Sequence, residues 1–374
     1  MFATGLESQL FSAVTVGGEL RYDSVPEPMS DECPNLSIVI PALNEERSIV
    51  RTIHYLLNQD YPRDKVEILV VVADSVDRTE ELVKGIAAEE PRVKYLRNPY
   101  GLSSGARTLG AQASIGEIII FIDSHIYINN NQLFRNTVRL MREKQISILS
   151  RPQLLDTPDN SFFQRAVSLA RNSWIGHGRD STIYSRDERY VNPCSSGASY
   201  RREVFEKVGY FDLSFDACED VEFNYRCAAA GFQSFTSMKL AVYYYPRTSL
   251  RSFYRQMVRY GMGRFRLARK HPQTLSLTTL FPSLLLTALP LMGLSCLIWS
   301  AMLYPLALVL LIYLLAIQLF SVKLAAGRDA RYFFTLPAVY LALHAGLGWG
   351  FLRESLFTAV RFLRRAPVNK KAAV

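Results

Sequence analysis

Two runs without a charged side chain, 277–300 and 301–322, constrain this chain more than any other feature. About 20 consecutive apolar residues form a helix long enough to cross the hydrocarbon core of a bilayer. Two such runs back to back read as a transmembrane hairpin over 277–299 and 302–321. Ahead of them lie about 250 residues with the mixed charged and apolar texture of a globular α/β domain. The hydrophobic content of 49% is an average over these two unlike parts. A soluble domain tied to such a hairpin does its work at a lipid surface.

The net charge of +9 raises nucleic acid as a partner, but its placement argues for membrane lipid instead. Lysine and arginine gather at 247–270, just before the first apolar run, and again at 361–371. Basic residues beside membrane segments face the cytoplasm and attract anionic headgroups. No nucleic-acid partner is expected. Cys33, Cys194, Cys218, Cys227 and Cys296 show no C-x-x-C spacing and read as reduced thiols. The first 35 residues carry Glu7, Glu19, Arg21 and Asp23 and no continuous apolar core, so no signal peptide is expected.

Residues 1–35, with Pro26, Pro28 and Pro34, form a linker-like lead-in. The runs 36–41, 67–72, 93–96 and 117–122 read as buried strands: short, apolar and rich in β-branched residues. Helices are expected between them over 45–59, with Asn44 as its cap, then 80–88 and 103–114. This alternation is the rhythm of a doubly wound, mostly parallel sheet, an α/β fold. The boundaries expected are a sheet domain over 36–248, a basic amphipathic helix over 249–272, a membrane module over 273–352 and a basic tail over 353–374.

Ligands of such sheets bind beyond the carboxyl ends of the strands. The polar residues there are Asn44 and Glu45, Asp74, and Asp123. A single acid in such a place is as often a helix cap as a ligand; three strand ends together favour a site. Asp123-Ser124-His125 can project a carboxylate and an imidazole to one side of an extended segment, donors that suit Mg²⁺ or Mn²⁺. Such an ion would neutralise a diphosphate leaving group, although D-x-H alone is a weak signal. The small polar residues of 192–200, Gly197 among them, leave room for a ligand to approach the backbone. Glu219 and Asp220 open an amphipathic helix, where acids either compensate the helix dipole or serve as a general base. In a helix over 250–268, Arg251, Arg255 and Arg259 form one stripe beside Phe253, Met257 and Tyr260, the pattern of an interfacial helix. Membrane contact explains these arginines; one of them could also hold a diphosphate.

In order and spacing these motifs resemble the family 2 glycosyltransferases of GT-A fold, and within them the membrane-anchored, succinoglycan ExoA-like subgroup. The matching pieces are IVIPALNEE at 38–46, ADSVDRT at 73–79, IDSH at 122–125, SSGASYRREVFEKVGYFD at 195–212, CEDVEFNYR at 218–226 and QMVRY at 256–260. The resemblance implies that Pro41, Ala42, Asn44 and Glu45 flank the nucleotide, Glu45 near a uridine ribose, with Asp74 on the uracil and Arg107 and Ser124 on the donor side. It makes Asp123 the first acid of a D-x-D metal motif, with His125 in place of the second. Asp220 would be the catalytic base, with Glu219 beside it. Gln256, Arg259 and Tyr260 match Q-x-x-R-W, so that they and Gly197 would face the acceptor and diphosphate.

What the resemblance implies is inverting, metal-dependent transfer of one hexose from a nucleotide sugar such as UDP-glucose. The acceptor would be a sugar on a polyprenyl diphosphate, in exopolysaccharide or cell-surface glycan synthesis. The expected location is the bacterial inner membrane, multi-pass, with the catalytic domain cytoplasmic and polysaccharide-assembly proteins as possible partners. Transfer to bare polyprenyl phosphate, as in dolichyl-phosphate mannose synthases, is the alternative, and an inactive membrane scaffold is a further one. No span precedes the catalytic residues, which favours a single-sugar transferase over a processive synthase. The third apolar stretch, 332–351, is interrupted by Pro337, His344 and glycines at 346, 348 and 350. A broken, re-entrant or interfacial segment is expected there, keeping the basic tail cytoplasmic.

Overall fold

The computed structural model describes residues 14–16, 19–21, 33–177 and 183–365. Val14–Val16 (β1) and Glu19–Arg21 (β2) pair antiparallel; the rest of the 1–32 lead-in lies outside the described residues. Leu36–Ala42 (β3), Val66–Ala73 (β4), Val93–Asn98 (β5) and Ile118–Phe121 (β6) are parallel and stand in the order β5-β4-β3-β6. Every residue of β4 is buried. This is the mark of a strand covered on both faces, and the reason these runs read as strands without alternation. The crossovers are Ile49–Leu57 (α1), Thr79–Glu89 (α2) and Ser103–Ala113 (α3).

Past β6 the chain forms Ile126–Tyr127 (β7), Leu133–Glu143 (α4), Ile148–Ser150 (β8), Gln153–Leu154 (β9), Phe162–Arg171 (α5) and Trp174–His177 (α6). Arg189–Val191 (β10), Gly197–Arg201 (β11), Arg202–Val208 (α7), Glu219–Ala229 (α8), Ser234–Thr236 (β12) and Val242–Tyr244 (β13) follow. β11 runs antiparallel to both β6 and β8, and β12 and β10 complete an eight-stranded sheet. β7, β13 and β9 make a separate three-stranded sheet. The helices that remain are Leu250–Lys270 (α9), Leu277–Ser295 (α10), Leu303–Ala325 (α11) and Tyr332–Arg365 (α12).

The chain divides into two compact units. The sheet unit comprises Met1–Thr157, Ser181–Ser214 and Glu219–Tyr245; the helical unit comprises Pro158–Asp180, Phe215–Cys218 and Pro246–Val374. The helical unit thus takes in two stretches that a linear reading leaves in the sheet domain. Its core joins Ala166, Val167 and Ala170 of α5 to Phe253 and Met257 of α9 and to Leu336, Val339, Tyr340 and Leu343 of α12.

Two expectations need correction. Asn44 caps no helix: its φ is 56°, its Oδ1 accepts from the Val76 N–H at 2.9 Å, and α1 begins only at Ile49. The third apolar stretch is not broken, because α12 runs continuously from Tyr332 to Arg365. Its glycines mark close packing: a Cβ on Gly346 would come within 2.6 Å of Met257, and one on Gly350 would strike the Val258 carbonyl of α9. The tail expected over 353–374 is helical as far as Arg365; 366–374 lie outside the described residues.

Candidate active site

Chain order reverses between neighbouring strands β3 and β6, which is where a doubly wound sheet opens a crevice at its carboxyl edge. The segments leaving these two strands meet there. His125 Nδ1 lies 3.0 Å from Glu45 Oε1, and the other Glu45 oxygen accepts from Ser48 Oγ at 2.6 Å. Burial alone would raise the Glu45 carboxyl, but His125, Ser48 and Ser124 together hold it below the ordinary range. Ser124 is buried, and its carbonyl accepts from Thr52 Oγ1 at 2.8 Å.

The loops after β3 and β4 are laced together. Asn44 N–H donates to Ser75 Oγ at 3.1 Å, Glu45 N–H to Thr79 Oγ1 at 2.7 Å, and Glu46 N–H to Asp77 Oδ2 at 3.1 Å. With the return bonds Val76 N–H to Asn44 Oδ1 and Arg78 N–H to Glu46 Oε2, two loops become one fixed surface. Pro41 and Ala42 end the strand beneath it. Asp74 is exposed and paired with Arg97 at 3.1 Å.

Arg107, on α3, organises the acids. Its Nη2 donates to Asp123 Oδ1 at 2.8 Å, its Nε lies 3.3 Å from Glu219 Oε1, and its guanidinium covers the Phe121 ring at 5.4 Å. Burial disfavours the charge, yet Asp123, Glu219 and Asp220 more than compensate and raise the Arg107 pKa. The two acids respond in opposite directions. Burial would raise Asp123, but Arg107, His125 and the Tyr244 hydroxyl carry it below the usual range. Glu219 is pushed up by burial and by the adjacent Asp220, against the pull of Arg107.

The position of α8, and so of Glu219 and Asp220, follows from an aromatic floor. Phe223 stacks on Phe211 at 4.4 Å and on Phe205 at 5.2 Å, and meets Tyr200 edge-on at 5.3 Å. Such pairs contribute about 0.5–1.5 kcal/mol each beyond burial. Gly197 belongs to this packing: a Cβ there would come within 2.9 Å of Asn224 Cγ, and Asn224 returns a bond to the Gly197 carbonyl at 3.2 Å. The space expected for a ligand holds the Asn224 side chain.

Within the helical unit, Gln256 Nε2 donates to Tyr260 Oη at 3.2 Å, Arg171 lies over the Tyr260 ring at 6.0 Å, and Arg259 donates to the Asp216 carbonyl at 2.9 Å. Two residues of the acid cluster escaped the sequence reading. Tyr244, buried on β13, hydrogen-bonds Asp123; its signal was a run of three tyrosines, of which Tyr244 faces inward. Arg151, also buried, donates through Nη2 to the Phe121 carbonyl at 2.5 Å and adds positive potential at Asp123. A lone arginine after a short strand gave no signal.

Among the described residues no three His, Cys, Asp or Glu side chains converge as a metal cage. A Mg²⁺ site does not need one, since that ion is commonly held by one or two carboxylates together with substrate phosphates. Asp123 and His125 fit this role. A carboxylate sets the imidazole through one ring nitrogen, as in metal-binding histidines, and Asp123 is kept ionised.

Comparison with known proteins decides the family. The Glycosyl transferase family 2 model matches residues 37–209. Succinoglycan biosynthesis protein ExoA of Rhizobium meliloti (strain 1021) is 32% identical over 259 residues, 68% of this chain and 76% of that protein. The chain belongs to glycosyltransferase family 2. This glycosyltransferase is also similar to the Methanococcus voltae dolichyl N-acetyl-α-D-glucosaminyl phosphate 3-β-D-2,3-diacetamido-2,3-dideoxy-β-D-glucuronosyltransferase, at 24% identity over 63% of this chain and 74% of that one. Its fold is GT-A. A Pyrobaculum calidifontis mannosyltransferase, solved with GDP-Man and Mn²⁺, superposes with a TM-score of 0.58 at 18% identity, covering 88% of this chain and 90% of that one.

Proposed function

We propose that this glycosyltransferase moves one hexose, with inversion, from a nucleotide sugar such as UDP-glucose to a sugar already carried on a polyprenyl diphosphate. The observation that carries the reading is the acid cluster around Arg107. One carboxylate is held ionised at the end of β6, and a pair of acids stands at the head of α8. Asp220 takes the proton of the acceptor hydroxyl as its oxygen bonds to the anomeric carbon; the bond from that carbon to the diphosphate breaks, and the nucleoside diphosphate leaves. Asp123 and His125 would hold a divalent ion, which when bound neutralises charge on the leaving group. Gln256, Arg259 and Tyr260 serve the acceptor and its diphosphate. The Methanococcus relative, by its name, acts on a lipid that already bears a sugar, which supports a glycosylated acceptor over bare polyprenyl phosphate.

The membrane placement is part of the same proposal. α10 and α11 cross a bacterial inner membrane as a hairpin, and the catalytic residues work at the cytoplasmic face. α12, although apolar enough to span, lies beside α9 at the interface. The test is a panel of UDP-, GDP- and dTDP-hexoses, offered with lipid-linked acceptors extracted from membranes and read by mass spectrometry. Addition of one hexose to a glycosylated lipid is expected. Product on bare polyprenyl phosphate would favour the phosphate transferase, a ladder of products a processive synthase, and no turnover with any donor a scaffold.

A further inference from the structure

The loop that leads into the base is built by the helical unit. Phe215–Cys218 belongs to that unit, and Glu219, bonded to Cys218, opens α8 in the sheet unit. Four contacts fix the loop against α9. Arg266 Nη1 pairs with Asp216 Oδ1, and Arg259 donates to the Asp216 carbonyl at 2.9 Å. Cys218 Sγ meets the Tyr260 carbonyl at 3.9 Å. Gly263 lets the loop backbone lie directly on the helix: a Cβ there would stand 2.6 Å from the Ala217 carbonyl and 2.9 Å from Cys218 Sγ. Arg266 is itself held from the far side, its Nε donating at 2.8 Å to Glu354, a buried acid on α12.

Cys218 takes a φ of 63°, in the left-handed region that non-glycine residues avoid. Strain of this kind persists only where the surroundings over-determine it, and the four contacts converge on Asp216, Ala217 and Cys218 itself. The dihedrals at Cys218 set the direction in which Glu219 and Asp220 leave the loop. Asp220 then directs one carboxylate oxygen to the Val221 N–H at 2.8 Å, an adjacent group that adds no tertiary anchor of its own. The aromatic floor fixes the body of α8, and the loop behind it fixes how the first turn, with Asp220, begins.

We infer that Arg266 is a positioning residue for transfer: bridging Glu354 and Asp216, it holds the Phe215–Cys218 loop in the one shape that aims Asp220 at the acceptor hydroxyl. The inference rests on Asp220 being the base. It gives Gly263 the same task by a different means, through the absence of a side chain.

The experiment uses the full chain in lipid, with the most active nucleotide sugar of the panel above and extracted lipid-linked acceptor. Arg266→Gln, Arg266→Lys, Gly263→Ala and Asp220→Asn are compared for kcat, donor KM, nucleoside-diphosphate affinity and Tm. A misplacement on the order of 1 Å costs about 10²-fold in rate. Arg266→Gln and Gly263→Ala are therefore expected to lower kcat by about 10–100-fold, with donor KM and nucleotide affinity within about twofold of wild type. Arg266→Lys, which keeps a charge for both acids, should recover part of the loss. Wild-type kcat in both Gly263→Ala and Arg266→Gln overturns the clamp, as does a kcat loss matched by falling nucleotide affinity and Tm in all three loop variants. Turnover retained by Asp220→Asn instead overturns the assignment of the base, a result the other variants cannot mimic.

Discussion

Asp123 and Asp220 stand near one arginine, yet the proposed chemistry asks different things of them, and substitution separates the two roles. In that proposal Asp220 accepts a proton and leaves the nucleotide alone. Asp220→Asn should cut transfer by about 10²–10⁴-fold while nucleotide affinity, measured by calorimetry, stays near wild type. Near-normal turnover in that variant would move the role to Glu219, whose raised pKa reflects burial and the neighbouring Asp220. Asp123, kept ionised by Arg107, His125 and Tyr244 despite its burial, should matter for the donor complex. Asp123→Ala is expected to lose both transfer and the metal-dependent gain in nucleotide affinity. His125→Ala should keep part of each, since imidazole is the softer donor for a hard ion. Titration with Mg²⁺, Mn²⁺ and chelator reads both variants; full activity in excess chelator would remove the metal from the proposal.

Elements far from the crevice hold the sheet in register, and Glu67 on β4 shows how. Its carboxylate is buried, yet it accepts from Ser37 Oγ of β3 at 2.5 Å, Lys94 Nζ of β5 at 2.7 Å and the Ile115 N–H after α3 at 2.7 Å. Burial would raise its pKa, but these bonds bring it below 4.5. A carboxyl depressed in the folded state stabilises fully above its unfolded pKa, and that contribution is lost as pH falls through the folded value. Glu67→Gln should lower Tm at pH 7, and the gap to wild type should close as pH drops below about 4.5. Parallel melting curves from pH 7 to 3 would refute this. Much of this architecture was legible in the sequence, because a strand buried on both faces is a continuous apolar run and the acids at 74 and 123 follow such runs directly. What the sequence hid was non-local. Asn44 has the composition of a cap, but its partner is Val76, 32 residues on. Tyr244 reaches Asp123 from a strand of 3 residues, too short to announce itself. The glycines of α12 read as breaks because a helix pressed backbone to backbone on its neighbour needs the same residues as an interrupted one.

At the scale of the molecule, the three apolar helices are not equivalent. The apolar windows of α10 and α11 are each 11% buried by protein, while that of α12 is 50% buried. One partner covering the second half of α12 is α9, which exposes Arg251, Arg255, Arg259 and Arg264, while Gly348 packs against Pro282 of α10. An arginine at the bilayer centre costs about 2.5–3.5 kcal/mol even on insertion scales, which supports the proposed place of α9 and α12 at the interface. A cysteine placed at residue 372 should resist a membrane-impermeant thiol reagent in intact cells, with the wild-type chain as background, and react after lysis. Labelling without lysis would make α12 a third span. The interleaving of the two units also bears on how the chain is made. Domains generally fold in the order of synthesis, at about 5–20 residues per second. The sheet strands leave the ribosome first, but the loop before Asp220 is completed only by Arg266 and Glu354. Arg266 precedes the hairpin, whereas Glu354 follows Asp220 on the order of ten seconds later, after the hairpin has been translated. On the inferred role of Arg266, a nascent chain can hold a formed sheet while Asp220 is still unaimed, and catalytic competence would arrive only with α12.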